Sequence, residues 1–392
     1  MNILFVYPTV FLPKHGGVER VTHLLSNEFK HRGHKIYHLH THTDNNSICS
    51  DFSTLFFPSP NYNDPINIPF YHRIIKENNI DIIINQCGAH HDSVLFNNVG
   101  ETKAKVISVI HFAPKMFLEH YWSEVSTLRD NSLKEKIKRI GRCIFYTRLK
   151  NNYLLRLTDH YRWLFDHTDK ICILSERLKK ELEDLSGDKY YPSKVISINN
   201  PVEIPPKLNH NRENMIIWVG RFDLGQKRPD LCLKIWDKVN KMLPEWELVM
   251  IGDGKDFRYI KEQAKNIERI SFTGYADPEP YYNRAKVLIM TSTTEGWGMV
   301  LTEAMAHGVI PMAFDSFLAV RDIISDDKLL IKPFDIDEYA RKLTLLVNDN
   351  GALSNALSKV NETLERFSLS RTADKWENLF NSLLSDKNST NI

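Results

Sequence analysis

Short apolar runs alternate with longer segments of helical periodicity along the first half of the chain. The runs predict buried strands, namely Ile3–Tyr7, Lys35–Leu39, Asp81–Asn85, Val106–Ile110 and Lys170–Leu174. The segments between them predict helices, and Ser175 suits the N-cap of one that begins at Glu176. Regular strand–helix alternation of this kind predicts an α/β fold with a parallel sheet wrapped by helices.

A proline-rich stretch, INNPVEIPP, interrupts this pattern at residues 198–206 and predicts a linker. The alternation then restarts with predicted strands at Met215–Val219, Glu247–Ile251, Arg269–Phe272, Val287–Met290 and Val309–Ala313. We therefore expect one domain over 1–198, a linker over 199–206, a second domain over 207–370, and a C-terminal helix with a polar tail over 371–392 that returns to the first domain. Two such Rossmann-like domains are expected to face a cleft that binds ligand at the carboxyl ends of the strands.

Composition sets limits on the class of protein. A length of 392 residues agrees with two domains, and a formal net charge of +2 gives no reason to expect a nucleic-acid partner. Five scattered cysteines without a CxxC pair argue against a disulfide framework and for a reducing compartment. We see no signal peptide and no apolar run of about 20 residues, so we expect a cytoplasmic protein, at most peripheral on the inner face of the cell membrane.

A basic, aromatic segment over 131–165 stands out from this balanced background. It carries nine Lys or Arg residues against Glu135 and Asp159, with Tyr, Phe and Trp residues between them. Such a segment suits the surface of an anionic membrane leaflet. It equally suits a solvated helix face whose apolar side packs on a sheet, and the sequence leaves both interpretations open.

The stretch TEGWGMVLTEAMAHG, residues 294–308, carries the sharpest chemical signal. It completes a predicted strand, turn and helix at Val287–Met290, Thr291–Gly298 and Met299–Ala306, with Gly308 closing the helix. The start of the helix would present backbone N–H groups to a phosphate or hydroxyl oxygen. Glu295 in the turn and Glu303 in the helix would both face one elongated ligand with hydroxyls at two places, which is the layout of a sugar nucleotide.

Glu295 and Glu303, with seven residues between them, resemble the glutamate pair of the retaining glycosyltransferases of the GT-B fold, specifically the GT4 family of bacterial polysaccharide and lipopolysaccharide synthesis. Other motifs resemble those of the family in the same order, namely Gly16-Gly17-Val18-Glu19, His111-Phe112-Ala113-Pro114, Gly220-Arg221-Phe222 with Lys227, Ile251-Gly252-Asp253-Gly254 and Phe272-Thr273-Gly274-Tyr275. The resemblance spans nearly the whole chain. It implies an acceptor-binding N-terminal domain and a C-terminal domain that binds a nucleotide sugar.

The resemblance also implies roles for single residues. The expected ligands of the donor nucleotide are Gly17, Arg221, Lys227, Gly274, Tyr275, Gly298, Met299, Val300 and Glu303, and the residues expected at the reaction centre are His111, Glu295, Arg221 and Lys227. Arg221 and Lys227 suit a diphosphate, since a guanidinium forks onto two oxygens and an ammonium adds a point charge. Gly16, His90 and His91 are expected to contact the acceptor.

Two patterns in the chain resemble metal sites but suit structural roles better. Three histidines alternate along one strand face, namely His38, His40 and His42. No carboxylate or cysteine lies near them in the sequence, and histidines in such a pattern more often belong to an edge strand than to a metal site. Asp335 and Asp337 form a DxD pair that fits the start of a helix. We expect no metal and no cofactor, with a nucleotide-diphosphate sugar as donor and UDP favoured over GDP.

The expected reaction moves a hexosyl unit from this donor to a hydroxyl of a glycan or lipid-linked glycan, with retention of the anomeric configuration. The segment FDSFLAVRDIISDDKLLIKP lacks the glycines that the family has there, which leaves the donor sugar open. Two alternatives remain: a sugar-nucleotide epimerase of similar fold, and a non-catalytic protein that binds nucleotide sugars or glycans. A Rossmann oxidoreductase would need a glycine fingerprint after the first strand that this chain lacks.

Overall fold

The computed structural model describes residues 1–12, 16–41, 52–119, 121, 132–207 and 211–385. His42, Asn131 and the tail beyond Ser385 lie outside the described residues. Contacts divide the chain into two compact units. Residues 1–199 form the first together with the chain from Thr372 onward, and Asn200–Arg371 form the second.

A parallel sheet forms the centre of the first unit. Its described strands are β1 (Asn2–Val6), β2 (Lys35–His40), β3 (Ser53–Phe56), β4 (Ile82–Asn85), β5 (Lys105–Ile110), β6 (Lys170–Ile173) and β7 (Val195–Ser197). They lie in the order β3-β2-β1-β4-β5-β6-β7, and every neighbouring pair is parallel. The central strands are apolar on both faces, as the three consecutive buried isoleucines of β4 illustrate, because helices cover both sides of the sheet.

The helices of the first unit include α1 (Gly17–His31), α2 (Asn67–Glu77), α3 (Ser93–Phe96), α4 (Met116–Glu119), α5 (Leu133–Ile144), α6 (Tyr146–Asp166) and α7 (Lys179–Ser186). On α1, Val21, Leu25 and Phe29 recur at helical spacing and are buried, and Phe29 stacks on Phe5 of β1 with 6.5 Å between ring centroids. Ser175 caps a short 3-10 helix, Glu176–Leu178, that precedes α7.

The second unit is built on a second parallel sheet. Its described strands are β8 (Met215–Val219), β9 (Glu247–Ile251), β10 (Ile270–Phe272), β11 (Val287–Met290), β12 (Ile310–Phe314) and β13 (Leu330–Ile331), in the order β10-β9-β8-β11-β12-β13. Its helices include α8 (Pro229–Val239), α9 (Phe257–Gln263), α10 (Glu279–Tyr282), α11 (Met299–Ala306), α12 (Val320–Ile323), α13 (Ile336–Val347) and α14 (Asn350–Leu364). Two parallel-sheet α/β domains are thus present, as the strand–helix alternation predicts.

The last helix, α15 (Leu369–Ser385), packs on the first unit along most of its length. Phe380 meets Phe29 of α1 edge to face, with 5.5 Å between ring centroids. Arg32 forms ion pairs with Asp374 at 2.6 Å and with Glu377 at 2.8 Å. An apolar contact and a paired charge cluster therefore fix this helix to the end of α1.

The prediction that His38 and His40 lie on an edge strand is wrong, because β2 lies between β1 and β3 and both side chains are buried. Nε2 of His38 lies 2.9 Å from the Ser26 hydroxyl, and Nδ1 of His40 lies 3.1 Å from the Tyr7 carbonyl oxygen. Burial lowers the pKa of His38 to about 3 and that of His40 to about 4, so both are neutral core residues at neutral pH.

Candidate functional site

The strand order of the second unit identifies where a ligand would bind. The chain leaves β8 towards β9 on one side and returns to the other side of β8 as β11. Parallel α/β sheets bind ligands beyond the carboxyl ends of their strands at such a point, because two loops diverge there and leave a crevice. The loops after β8 and β11, residues 220–228 and 291–298, are therefore the candidate site.

Hydrogen bonds hold these two loops together. The Thr293 amide donates to the Gln226 carbonyl at 2.8 Å, and the Gln226 side-chain amide donates to the Thr294 carbonyl at 3.2 Å. The Thr291 hydroxyl donates to the Lys227 carbonyl at 3.0 Å. The side chains that these loops carry are thus held at defined positions relative to one another.

Lys227 and Glu295 are brought into direct contact by these loops. Nζ of Lys227 lies 2.5 Å from Oε1 of Glu295, with the two side chains 19% and 10% exposed. The sequence predicts both residues as site members but gives no sign of this pairing, since 68 positions separate them. Arg221 is exposed on the same loop as Lys227, and its guanidinium donates to the Gln226 side-chain carbonyl at 3.3 Å.

The helix that follows the second loop begins where the sequence predicts. Gly298, with φ of 92°, is the N-cap of α11, and Met299 and Val300 form its first turn. The first N–H groups of a helix have no partner within the helix, and they carry the positive end of its dipole. The start of α11 can thus receive an anionic oxygen at the carboxyl edge of β11.

Glu303 lies on α11 as a buried carboxylate. The hydroxyl of Tyr282, at the end of α10, donates to its Oε2 at 3.2 Å. Tyr282 is itself buried and stacks on His307, with 5.5 Å between ring centroids. Sequence reasoning missed Tyr282, because nothing in the local pattern of α10 distinguishes it from the neighbouring Tyr281.

The remaining donor-site candidates of the second unit lie on the loops after β9 and β10. Gly252 donates its amide hydrogen to the Gly274 carbonyl at 2.9 Å, and Gly220 donates to the Ile251 carbonyl at 3.0 Å. Tyr275, next to Gly274, has an exposed ring. The glycine-bearing loops after three adjacent strands therefore contact one another at the same edge of the sheet as Lys227.

The segment without family glycines also reaches this edge. The Ser316 hydroxyl donates to the Ser292 carbonyl at 2.6 Å, which ties the loop after β12 to the loop after β11. The Phe317 ring lies close to Gly298, since a Cβ atom at Gly298 would be 3.3 Å from that ring. Ser316 and Phe317 thus stand beside the N-terminus of α11.

The first unit has its own switch point, between β1 and β4. Gly16 is the N-cap of α1 and accepts a hydrogen bond from the Arg20 amide at 3.0 Å, and Gly17 is exposed beside it. On the far side of the switch point, His111 directly follows β5, and its Nε2 lies 2.6 Å from Oε1 of Gln86, the residue after β4.

A chain of hydrogen bonds fixes the tautomer of His111. The Thr22 hydroxyl donates to the Val18 carbonyl at 2.8 Å, so its oxygen is the acceptor for the Gln86 amide at 3.0 Å. Gln86 then turns its carbonyl oxygen to His111, whose Nε2 must carry the hydrogen. Burial lowers the pKa of His111 to about 3, so the imidazole is neutral at neutral pH.

A cavity of about 260 Å³ lies beyond β4 and β5 in the first unit. It is lined by Ala89, His90, His91, Phe112, Ala113, Pro114, Tyr153, Arg156, Leu157, His160 and Tyr161. Nε2 of His160 donates to the Gly88 carbonyl at 2.9 Å. Burial lowers the pKa of His90 and of His160, so this cavity offers two neutral imidazoles and the phenols of Tyr153 and Tyr161, which donate and accept hydrogen bonds.

The residues that resemble metal sites have structural partners. Asp335 is the N-cap of α13 and accepts from the Glu338 amide at 2.9 Å, and Asp337 forms an ion pair with Lys238 at 2.7 Å. In the described ranges, no group of three or more His, Cys, Asp or Glu side chains is placed to hold a metal ion. Across those same ranges, no helix combines the length and the apolar character needed to cross a bilayer.

Two family models match this chain in succession. Glycosyltransferase Family 4 matches residues 15–204, and Glycosyl transferases group 1 matches residues 202–363. An uncharacterized glycosyltransferase of Haemophilus influenzae is 27% identical over 54% of this chain and 61% of its own length. A Campylobacter jejuni protein, GalNAc-alpha-(1->4)-GalNAc-alpha-(1->3)-diNAcBac-PP-undecaprenol alpha-1,4-N-acetyl-D-galactosaminyltransferase, is 26% identical over 49% of this chain and 56% of its own length. The matches therefore span less than two thirds of either relative.

Solved structures are similar over nearly the whole chain. The pneumococcal O-GlcNAc transferase GtfA, in complex with UDP and GlcNAc, superposes with a TM-score of 0.70 at 14% identity and covers 98% of this chain and 99% of its own. Similarity at this identity establishes the fold, which is that of the GT-B glycosyltransferases.

Proposed function

Because the chain belongs to the GT4 glycosyltransferases of the GT-B fold, we propose that it moves a hexosyl unit from a nucleotide-diphosphate sugar to a hydroxyl of a glycan or lipid-linked glycan. The setting is bacterial cell-surface polysaccharide synthesis. The Campylobacter relative supports this setting, because its name gives as its substrate a saccharide linked to undecaprenol through a diphosphate.

One observation carries the donor assignment. At the switch point of the second unit, Lys227, Arg221 and the N-terminus of α11 gather positive charge and N–H donors at one edge of the sheet. A diphosphate meets these groups with its anionic oxygens. Glu303 supplies a carboxylate on the same helix, which accepts hydrogen bonds from a ribose diol. The UDP bound by GtfA supports uracil as the base.

The proposed reaction retains the anomeric configuration and uses no metal. The acceptor oxygen forms a bond to the anomeric carbon on the face from which the nucleotide departs. The bond between that carbon and the diphosphate oxygen breaks, and this oxygen takes the acceptor's proton. Lys227 and Arg221 stabilise the charge that develops on the departing diphosphate, while Glu295 holds Lys227 in place. His111, neutral and fixed by Gln86, contacts the donor sugar as a hydrogen-bonding group.

The cavity of the first unit supports a saccharide acceptor. The imidazoles of His90 and His160 and the phenols of Tyr153 and Tyr161 are uncharged, and they can pair with hydroxyl groups as donors or acceptors. His90 and His91 lie at this cavity, and we assign them to acceptor binding.

A thermal-shift panel of UDP-, GDP- and ADP-sugars on the wild type and on Glu303→Ala tests the donor site. A ligand that binds only the folded state raises the melting temperature, so one nucleotide series should stabilise the wild type and not the variant. No shift with any donor would favour a non-catalytic protein that binds glycans. NMR of the product then separates the remaining alternatives, since an epimerase changes the free sugar nucleotide without acceptor. Unchanged turnover in EDTA is expected for a metal-independent enzyme.

A further inference from the structure

Helix α5 (Leu133–Ile144) has its apolar face turned to solvent. Leu133, Ile137, Ile140 and Ile144 recur at intervals of three and four residues, so they form one stripe about 16 Å long. These side chains are 75%, 62%, 60% and 71% exposed. An ordinary surface helix buries such a stripe against the core.

The opposite side of α5 is polar and faces the protein. Glu135 is the buried residue of the helix, and its Oε1 pairs with Nη2 of Arg142 at 2.7 Å. This ion pair joins two residues of α5 itself and neutralises the buried carboxylate, while the four large apolar side chains of the helix remain outside. This arrangement is the reverse of that expected from packing alone, and it indicates that the stripe is covered by something other than this unit.

The charge around the stripe is almost entirely positive. Residues 133–156 contain eight Lys or Arg residues and a single acidic residue, Glu135. Lys134 and Lys136 stand on either side of the apolar stripe, where their ammonium groups can lie in a headgroup layer while their stems extend along the apolar surface. In the part of the chain that the structure describes, Lys134, Lys136, Lys138 and Arg139 form no ion pair and are exposed.

The exposed face continues onto α6 (Tyr146–Asp166), which follows α5 after Phe145. Phe145, Leu154 and Leu155 are exposed there. Other residues of α6, Tyr153, Leu157 and His160, line the cavity beyond β4 and β5. One helix therefore carries both exposed apolar side chains and a wall of the cavity.

We propose that α5 and the first half of α6 form a docking surface for an anionic phospholipid leaflet. Apolar side chains flanked by unpaired cations match the acyl and headgroup layers of such a membrane. A second copy of this chain fits less well, because a two-fold contact would place two faces of the same high positive charge against each other. The surface would bring the cavity close to acceptors that are anchored in the membrane.

Co-sedimentation of the full-length protein with vesicles tests this surface, and the proposal does not depend on catalytic activity. Vesicles of phosphatidylglycerol and phosphatidylethanolamine should bind the protein, with affinity that falls as salt rises, and vesicles of phosphatidylcholine should bind it far more weakly. Ile137→Gln/Ile140→Gln removes apolar area without changing charge and should weaken binding about a hundredfold. Lys134→Gln/Lys136→Gln should weaken binding to the anionic vesicles about thirtyfold.

Leu345→Gln is the matched control, because Leu345 is also a largely exposed apolar residue on a helix, but it lies on α13 of the second unit. It should bind vesicles like the wild type. Failure of the wild type to bind anionic vesicles, or equal binding by the Ile137→Gln/Ile140→Gln variant, overturns the proposal. A wild-type dimer that this variant converts to a monomer would assign the stripe to a second copy instead. Donor-induced thermal shifts should be the same in all these variants. Failure of the donor assignment can therefore be distinguished from failure of the proposed membrane surface.

Discussion

Nζ of Lys227 lies 2.5 Å from Oε1 of Glu295, across two loops that leave neighbouring parallel strands at the switch point of the second sheet. Each side chain is largely buried, and a buried charge without a partner is costly to desolvate. Lys227 and Glu295 each neutralise the charge of the other. The pair therefore contributes both to the stability of the site and to its proposed chemistry. A mutational test must separate these two contributions.

We expect Lys227→Met to lower kcat/KM about a thousandfold, because a cation that stabilises the departing diphosphate is lost. The same change leaves Glu295 buried without its partner and should lower the free energy of unfolding by about 3 kcal/mol. The double variant Lys227→Met/Glu295→Gln should recover most of that stability, since no charge remains unpaired, yet stay inactive. Urea unfolding and steady-state rates measure the two effects. Recovery of activity in the double variant would contradict the role of Lys227.

The hydroxyl of Tyr282 donates to Glu303, so Tyr282→Phe should loosen the carboxylate that we assign to the ribose. Hydrogen bonds to charged groups contribute about 1.5–3 kcal/mol, and we expect UDP to bind about tenfold or more weakly. Glu303→Gln should have an effect at least as large. The control is Tyr281→Phe, on the neighbouring residue of α10, which should leave UDP affinity unchanged in calorimetric titration. Equal affinities for Tyr282→Phe and the wild type would exclude this positioning role.

Gln86 faces His111 with a carbonyl oxygen, and this contact places the hydrogen of the imidazole on Nε2, while burial keeps the ring neutral. Gln86→Glu would place a carboxylate at the same position, which favours the imidazolium. The pKa of His111 should then rise from about 3 towards or above the ordinary value of 6.5. NMR titration of the imidazole measures this shift, and transfer activity should fall at pH 6, where the variant carries the extra charge. Gln86→Met, which supplies no charge, should leave the histidine neutral.

Most of the fold can be predicted from the sequence, because a parallel sheet buried on both faces leaves nearly continuous apolar runs. The predicted strand at Met215–Val219 and the predicted helix at Met299–Ala306 have those bounds in the structure. β3 and β7 were not predicted: β3 is half exposed and β7 spans three residues, so neither produces a buried apolar run.

The contacts within the candidate site were beyond sequence reasoning. Spacing along one turn and the helix that follows it relates Glu295 to Glu303, but the Lys227–Glu295 and Tyr282–Glu303 contacts join residues 68 and 21 positions apart. Such pairs depend on strand order, which the pattern of apolar residues does not encode. The sequence left the orientation of the basic, aromatic segment open for a related reason, since periodicity reveals an apolar stripe but not the side that it faces.

His38 and His40 should make the protein sensitive to acid. Their pKa values in the folded chain, about 3 and about 4, lie below the value of about 6.5 in the unfolded chain. As pH falls below 6.5 the unfolded chain binds protons that the folded chain excludes, so stability is lost between pH 6.5 and pH 4. The free energy of unfolding should fall by about 1.4 kcal/mol per pH unit for each histidine.

The variant Ser26→Ala/His38→Leu removes one of these histidines together with its hydrogen-bond partner. It should reduce the slope of unfolding free energy against pH by about 1.4 kcal/mol per unit between pH 6 and pH 4. Urea unfolding at several pH values measures the slope. His31→Gln, a change at an exposed histidine of α1, is the control. An unchanged slope in the double variant would mean that His38 is protonated in the folded chain.

Gly252 and Gly274 offer a matched pair of substitutions on adjacent loops of the donor site. A Cβ atom at Gly252 would lie 2.0 Å from the Gly220 carbonyl oxygen, so Gly252→Ala must push apart the strand ends that position Arg221. A Cβ atom at Gly274 meets no heavy atom within 4 Å, so Gly274→Ala carries only the cost of its φ of +70°, about 1 kcal/mol. We expect Gly252→Ala to abolish UDP binding in calorimetric titration and Gly274→Ala to retain it. Equal affinities in the two variants would show that the packing of these loops does not determine nucleotide binding.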